Sequence, residues 1–284
     1  MRTDEQVAKI FQEVLQLPLE LQEDLSDLLD RTILPAIIGA SREIVDRLDF
    51  IAGLQLLVFN PSSKKQLLER SQLHKILAQR TWLFGEEFHL SLSDQGLTAV
   101  LDKHLHLLGR SERSPEPVVR EDGSAGIVDL MLSRLIPQNH GDRREHLVIE
   151  LKRPNQPITH EVAGQIMSYA RAVAKDERFA DTKTTWSFWA ISNEVDLVVH
   201  DQANQVNRPP GLYSELHSPE IRVWVKTWGQ IIQECEGRHM FVRDRLSYSA
   251  TEESALVHLQ KMHDKYLPPT FRRDGSDQGD VVDS

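Results

Sequence analysis

The chain has 284 residues, is 40% hydrophobic and carries a formal net charge of −10. That length supports one sizeable core with a smaller second unit, and no apolar run approaches the ~20 residues of a membrane helix. The opening "MRTDEQVAKIFQEV" lacks the apolar stretch of a signal peptide, and a single cysteine, Cys235, excludes an intramolecular disulfide and a cysteine-based zinc site. A cytoplasmic protein with no membrane partner is expected.

The first sixty residues read as helical. Val7, Ile10, Phe11, Val14 and Leu15 recur at helical spacing behind a capping Thr3 or Asp4. Leu21, Leu25, Leu28 and Leu29 form a second stripe after Pro18, and Ile44, Leu48, Ile51 and Leu54 a third after Pro35. "NPSSKK" at 60–65 marks a turn and an expected boundary. A further helix is expected from Ser63 through "QRTWLFGEEF". The period then changes from 3.6 to 2. "EFHLSLS" (87–93), "GIVDLMLSRL" (126–135), "HLVIELK" (146–152), "TWSFWAIS" (185–192) and "EIRVWVKTW" (220–228) are expected strands. Helices are expected at 158–175 and 251–265. The stretch 267–284 has too little apolar content to fold alone and reads as a disordered tail. The expected organisation is a helical region over 1–60, an α/β domain over 61–266, and the tail.

Chemistry concentrates on "HLVIELK". Alternate side chains of a strand face opposite ways, which places Val148, Glu150 and Lys152 on one face and Leu147, Ile149 and Leu151 on the other. An ion pair on a strand this apolar is a poor stabiliser compared with aliphatic packing, so function explains it better. Asp129, set among apolar residues in "GIVDLML", converges on Glu150 if the two strands pair antiparallel. Two carboxylates with a few waters suit Mg²⁺, or Mn²⁺, and an adjacent lysine can stabilise a phosphate or orient an attacking water. Acid is concentrated before residue 60, whereas 61–153 also carries Lys64, Arg70, Arg120 and Arg153. A local basic surface on an acidic chain therefore remains compatible with nucleic acid.

Asp, then Glu-x-Lys on the next strand, resembles the active site of the PD-(D/E)XK phosphodiesterase superfamily, although Ile127 and Val128 stand where its name places proline. The stretches "WLFGEEF", "GIVDLML" and "VIELKRP" look most like the nuclease domain of the Shedu anti-phage defence proteins. The resemblance covers roughly residues 65–230. It implies a restriction-endonuclease-like core, a central mixed sheet flanked by helices, and a metal-dependent nuclease acting on DNA. It also implies an acidic residue ahead of the first strand, for which Glu87 is the choice and Glu86 the alternative, as a metal ligand beside Asp129 and Glu150. A Gln-x-x-x-Tyr helix after Glu-x-Lys looks like a motif of the RecB and lambda-exonuclease-like branch. It implies that Gln165 orders the site or touches substrate.

Tyr169, one turn beyond Gln165, and Arg153 are the expected substrate contacts, while Tyr169 also lies on the apolar stripe of Val162, Ile166 and Val173. His104-x-His106 has no partner residues spaced to complete a zinc site, and the histidines read as structural or surface groups. The five tryptophans read as core. The helices of 1–60 lie outside the resemblance and suggest a homo-oligomer or a docked partner protein. The competing reading is a nucleic-acid-binding or end-sensing module that does not cut and acts through a partner.

Overall fold

The computed structural model describes residues 2–110, 116–120, 122–136, 143–179, 184–217 and 220–272. The stretch 273–284 of the expected tail lies outside them. Two compact units divide the chain, Met1–Leu48 and Asp49–Ser284. The first holds helices α1 (Arg2–Leu15) and α2 (Leu19–Arg31) and the start of α3 (Leu34–Phe59). Pro18 caps α2, which has no buried residue. Ile10, Phe11, Leu15 and Leu19 are exposed, although their spacing is that of an apolar stripe. The division falls inside α3, earlier than the turn at 60–65, because Phe50, Ile51, Leu54, Leu57 and Val58 belong to the core of the second unit.

In that unit the helix expected from Ser63 onward is broken into short pieces. Asn60 caps α4 (Pro61–Gln66) by accepting from the Ser62 amide. A π-helical turn (Glu69–Leu73), α5 (His74–Leu77) and a 3₁₀ turn (Thr81–Phe84) follow. Leu67, Leu73, Ile76, Leu77, Leu83 and Phe84 are all buried, more than one stripe of a straight helix can face inward. The Gln72 side chain substitutes for lost helical bonds: its Oε1 accepts from the Leu68 amide at 2.7 Å and its Nε2 donates to the Leu267 carbonyl at 3.1 Å.

The remaining elements are β1 (His89–Gly96), α6 (Leu97–Leu107), β2 (Ile127–Ile136), β3 (Arg143–Leu151), α7 (His160–Lys175), β4 (Thr184–Ser192), α8 (Leu197–Ala203), β5 (Leu212–Leu216), β6 (Glu220–Thr227), α9 (Trp228–Leu246) and α10 (Glu252–His263). The unit is α/β, with a six-stranded mixed sheet flanked by helices. Strand order is β1-β2-β3-β4-β6-β5. β1, β2 and β3 are antiparallel, β3, β4 and β6 parallel, and β5 closes the far edge antiparallel to β6. The expected strands all form, close to their expected bounds.

β5, α8 and α9 have no counterpart among the expected elements. In α9 the buried face consists of Trp228, Ile231, Ile232, Cys235 and His239, a stripe diluted by histidine, cysteine and intervening charge. A capping box between Thr227 and Gln230 starts this helix.

The sheet separates two cores. Met131, Val148, Val162, Ile166 and Phe188 fill the side covered by α6, α7 and α8. Leu54, Leu57, Leu132, Ile149 and Trp228 fill the other. There α3 and α10 approach closely at Gly53, where an added Cβ would lie 2.7 Å from Leu259 Cγ. Nearby, Tyr248 and Ser254 both donate to Asp49 Oδ1 at 2.7 Å. Trp186 and Trp228 are buried core, as expected. His104 is a core group as well: its Nδ1 lies 3.1 Å from His146 Nε2, and His146 Nδ1 lies 2.8 Å from Ser133 Oγ. Burial, followed by the charge of His104, holds His146 well below the usual imidazole range, which keeps it neutral in the core.

The expected start of the tail is too early. Leu267 is fully buried and its carbonyl accepts from Gln72 Nε2 and Arg272 Nε. Leu267→Ala is therefore expected to lower the unfolding free energy by about 2–5 kcal/mol in urea titration. A change within about 0.5 kcal/mol, the surface norm, would restore 267 to the tail.

Candidate active site

β2 and β3 pair with Leu130 opposite Ile149, where the backbone ladder ends. Asp129 and Glu150 are the next residues on each strand. The ladder closes through a side chain: the Leu151 amide donates to Asp129 Oδ2 at 2.7 Å. Asp129 and Glu150 are only 2% and 4% exposed, and Lys152 9%. As expected from strand alternation, Glu150 and Lys152 share the face covered by α7, while Leu147, Ile149 and Leu151 anchor the strand from behind.

α7 starts where Thr159 caps it by accepting from the Val162 amide. Its buried stripe of Val162, Ile166, Tyr169 and Val173 fixes its rotation against the sheet, which aims Gln165 at Glu150. Lys152 Nζ donates to Glu150 Oε1 at 2.8 Å and to Gln165 Oε1 at 3.3 Å. Gln165 Nε2 donates to Glu150 Oε1 and to the Tyr169 hydroxyl, each at 2.8 Å. The hydroxyl donates onward to the Ile127 carbonyl at 3.0 Å. With both amide protons and the carbonyl committed, Gln165 has one orientation that satisfies the network.

Gly126 makes room for this arrangement, since a Cβ there would lie 2.5 Å from Tyr169 Cε1. Arg120 covers the Tyr169 ring at 5.7 Å.

The site is electrostatically loaded. Burial, followed by the charge of Glu150, raises the Asp129 carboxyl to about 7. Burial also raises Glu150, against the pull of Lys152. A residue the sequence reading did not select contributes here: the negative charge of Glu69 pushes both carboxyls further up. Glu69 opens the π-helical turn and lines an open cleft of about 480 Å³ together with Lys152 and Arg153. The signal for it in the sequence is an acid in "LLERSQL" between buried leucines, which is unremarkable in a helix read as continuous.

Two expectations are corrected. Glu87 is exposed and precedes β1, whose first residue, His89, lies opposite Ser133. The β1 residues that flank the Asp129 position are Ser93 and Gln95, opposite Leu130 and Val128. At ~3.3 Å per residue, Glu87 sits roughly 20 Å away along the strand. Glu86, the alternative, is 3.7 Å from His239 Nε2. Neither joins the cluster. Tyr169 is only 2% exposed, so it positions Gln165 rather than contacting a substrate. Arg153 is exposed and lines the cleft.

Among the described residues no group of three or more His, Cys, Asp or Glu side chains is placed to hold a metal ion by itself. The donor chemistry that is present suits a hard cation. Glu150 Oε2 is buried with no hydrogen-bond partner among the described residues, and burial, followed by the charge of Glu150, drives the neighbouring Asp129 carboxyl upward. Mg²⁺ characteristically takes one or two carboxylates and retains waters or substrate oxygens for the rest. Asp129 and Glu150 could hold it on those terms. No family model, no curated protein and no solved structure matches this chain.

The raised Asp129 carboxyl sets a stability test. Between the usual carboxylate range and about 7, the folded state retains a proton that the unfolded chain has lost. Stability due to this group therefore falls as pH rises through that window, and the full cost is present above it. Asp129→Asn keeps an acceptor for the Leu151 amide and removes the charge. It is expected to stabilise the apo-protein at pH 8 by on the order of 1–3 kcal/mol and to change it little at pH 4. An equal effect at both pH values would contradict this assignment.

Proposed function

We propose that the protein is a divalent-metal-dependent phosphodiesterase with a restriction-endonuclease-like core, acting as a nuclease on DNA. The observation that carries this reading is the buried Glu150, Lys152 and Gln165 network beside Asp129, with Glu150 Oε2 left without a hydrogen-bond partner among the described residues. A structural ion pair would satisfy its own acceptors. The leftover oxygen and the raised Asp129 carboxyl support a cation bound here. Bound between Asp129 and Glu150, Mg²⁺ or Mn²⁺ would neutralise charge on the phosphate and supply a water that ionises more readily.

The chain's own groups do the rest. Lys152 presents an ammonium at the floor of the cleft, where developing negative charge on phosphate oxygens can be stabilised. Gln165 holds Glu150 and Lys152 in register, and Tyr169 holds Gln165. Glu69 adds a further carboxylate at the entrance to the cleft. Arg153 meets the substrate outside.

The single cysteine, buried as a thiol in the core, is in keeping with work in the cytoplasm. The likeness to anti-phage nuclease domains extends the reading to defence against foreign DNA. The exposed apolar stripes of α1 and α2 support self-association through the first unit. No helix among the described residues is long and apolar enough to cross a membrane.

The test is hydrolysis of linear, circular and single-stranded DNA, and of RNA, with Mg²⁺ or Mn²⁺. Lys152→Ala, Asp129→Asn and Glu150→Gln are each expected to lower the rate by at least about 100-fold, and chelation by EDTA is expected to abolish it. Glu69→Gln is expected to lower the rate more than Glu87→Gln. Intact substrate with wild-type protein under every condition would remove the hydrolytic reading, and tight binding without cleavage would favour a non-catalytic nucleic-acid module. A second prediction concerns the support of Gln165. Gly126→Ala should displace the Tyr169 ring and reduce kcat about 10-fold or more, with little change in KM. Unchanged kcat would show that Tyr169 is only core.

A further inference from the structure

We propose that Arg70 and Arg153 form a clamp for a phosphate adjacent to the one that reacts, so that the cleft recognises a DNA backbone rather than an isolated phosphate ester. The inference rests on the reading above and names how that site takes hold of its substrate. Arg70 and Arg153 line the same cleft of about 480 Å³ as Lys152, together with Ser71 and Gln156. Lys152 belongs both to this cleft and to the buried network, which makes the cleft the mouth of the site. Its ammonium is already shared between Glu150 and Gln165 and is not available to a phosphate farther out.

The two arginines are available. Both are exposed, and among the described residues neither pairs with a carboxylate, whereas Arg47, Arg134, Arg143, Arg178 and Arg222 all do. Their backbones are held from different directions. Arg70 rides on the π-helical turn tied down by Gln72 to Leu68 and Leu267. Arg153 follows β3, and its carbonyl accepts from the Gln156 amide at 2.8 Å and from Ser192 Oγ at 3.3 Å. The two guanidinium groups, with the Ser71 hydroxyl and the Gln156 side-chain amide as neutral donors, match what phosphate oxygens accept. Successive phosphates of one strand advance only about 3.4 Å along the helix axis, so a strand with one phosphate over Lys152 carries the next toward the arginines.

Glu69 lies on the same wall, and its charge is felt by Asp129 and Glu150. A carboxylate there disfavours free anions and leaves the arginines to hold a ligand anchored at more than one point.

Fluorescence anisotropy tests the clamp, using the full chain, a labelled DNA oligonucleotide, and Ca²⁺ in place of Mg²⁺. Arg70→Ala and Arg153→Ala are each expected to weaken binding several-fold and to reduce the slope of log Kd against log salt by about 0.7–0.9. The double variant should lose about twice that slope, while Arg208→Ala, an exposed arginine elsewhere, should match wild type. A deoxynucleoside monophosphate should fail to compete. Wild-type affinity and slope in the double variant, or competition by the mononucleotide as effective as by the oligonucleotide, would overturn the inference. The clamp and the hydrolysis separate cleanly. Lost binding in the variants of a protein that cuts nothing leaves the clamp and removes the nuclease; cleavage with unaltered binding does the reverse.

Discussion

A lysine and a glutamate two residues apart, buried together at the end of a central strand, set the terms for the second unit. Removing such charges from water costs several kcal/mol per ion, and mutual attraction repays this only with good geometry and further hydrogen bonds. The fold supplies both. Leu147, Ile149 and Leu151 anchor β3 in the opposite core, while α7 delivers Gln165 to Glu150 and Lys152. The rotation of α7, the Tyr169 bond to Ile127 and the absence of a side chain at Gly126 all serve this one junction. What the network leaves undone, an unused acceptor at Glu150 Oε2 and a carboxyl raised by burial at Asp129, is a cost concentrated at one point. Such concentration marks functional sites more often than structural ones.

Much of this was legible in the sequence, for reasons that can be stated residue by residue. Strand alternation alone places Glu150 and Lys152 on one face, because a period of two leaves no alternative once Ile149 and Leu151 are core. Asp129 follows from antiparallel pairing of two adjacent apolar runs. Helical spacing puts Gln165 and Tyr169 on one face and the resemblance singles them out, although the sequence cannot say that the tyrosine points inward to hold the glutamine. Five of the six strands were visible as runs of alternation, while the mixed pairing was implied only by the resemblance.

The misses share one cause. Local pattern fails where burial surrounds a segment on several sides. The stretch 61–84 carries enough leucine for a long helix and is instead folded into four short turns, which brings Glu69 to the site. Proximity to the first strand singles out Glu87, while the acid whose charge reaches Asp129 and Glu150 is Glu69, on the π-helical turn much earlier in the chain. Similar dilution hides α9, whose buried face includes His239 and Cys235. The buried pair of His104 and His146 also required tertiary structure, since the residues lie far apart in sequence and meet only across packed elements.

The proposed chemistry stands on the claim that Asp129 and Glu150 form one cation site. Direct measurement of Mn²⁺ binding by electron paramagnetic resonance or calorimetry, without any nucleic acid, tests that claim most closely. Saturable binding at a single site in the wild-type protein, lost in both Asp129→Asn and Glu150→Gln and retained in Glu87→Gln, is the expected result. Wild-type binding that survives both substitutions, or no binding at millimolar Mn²⁺, would contradict it.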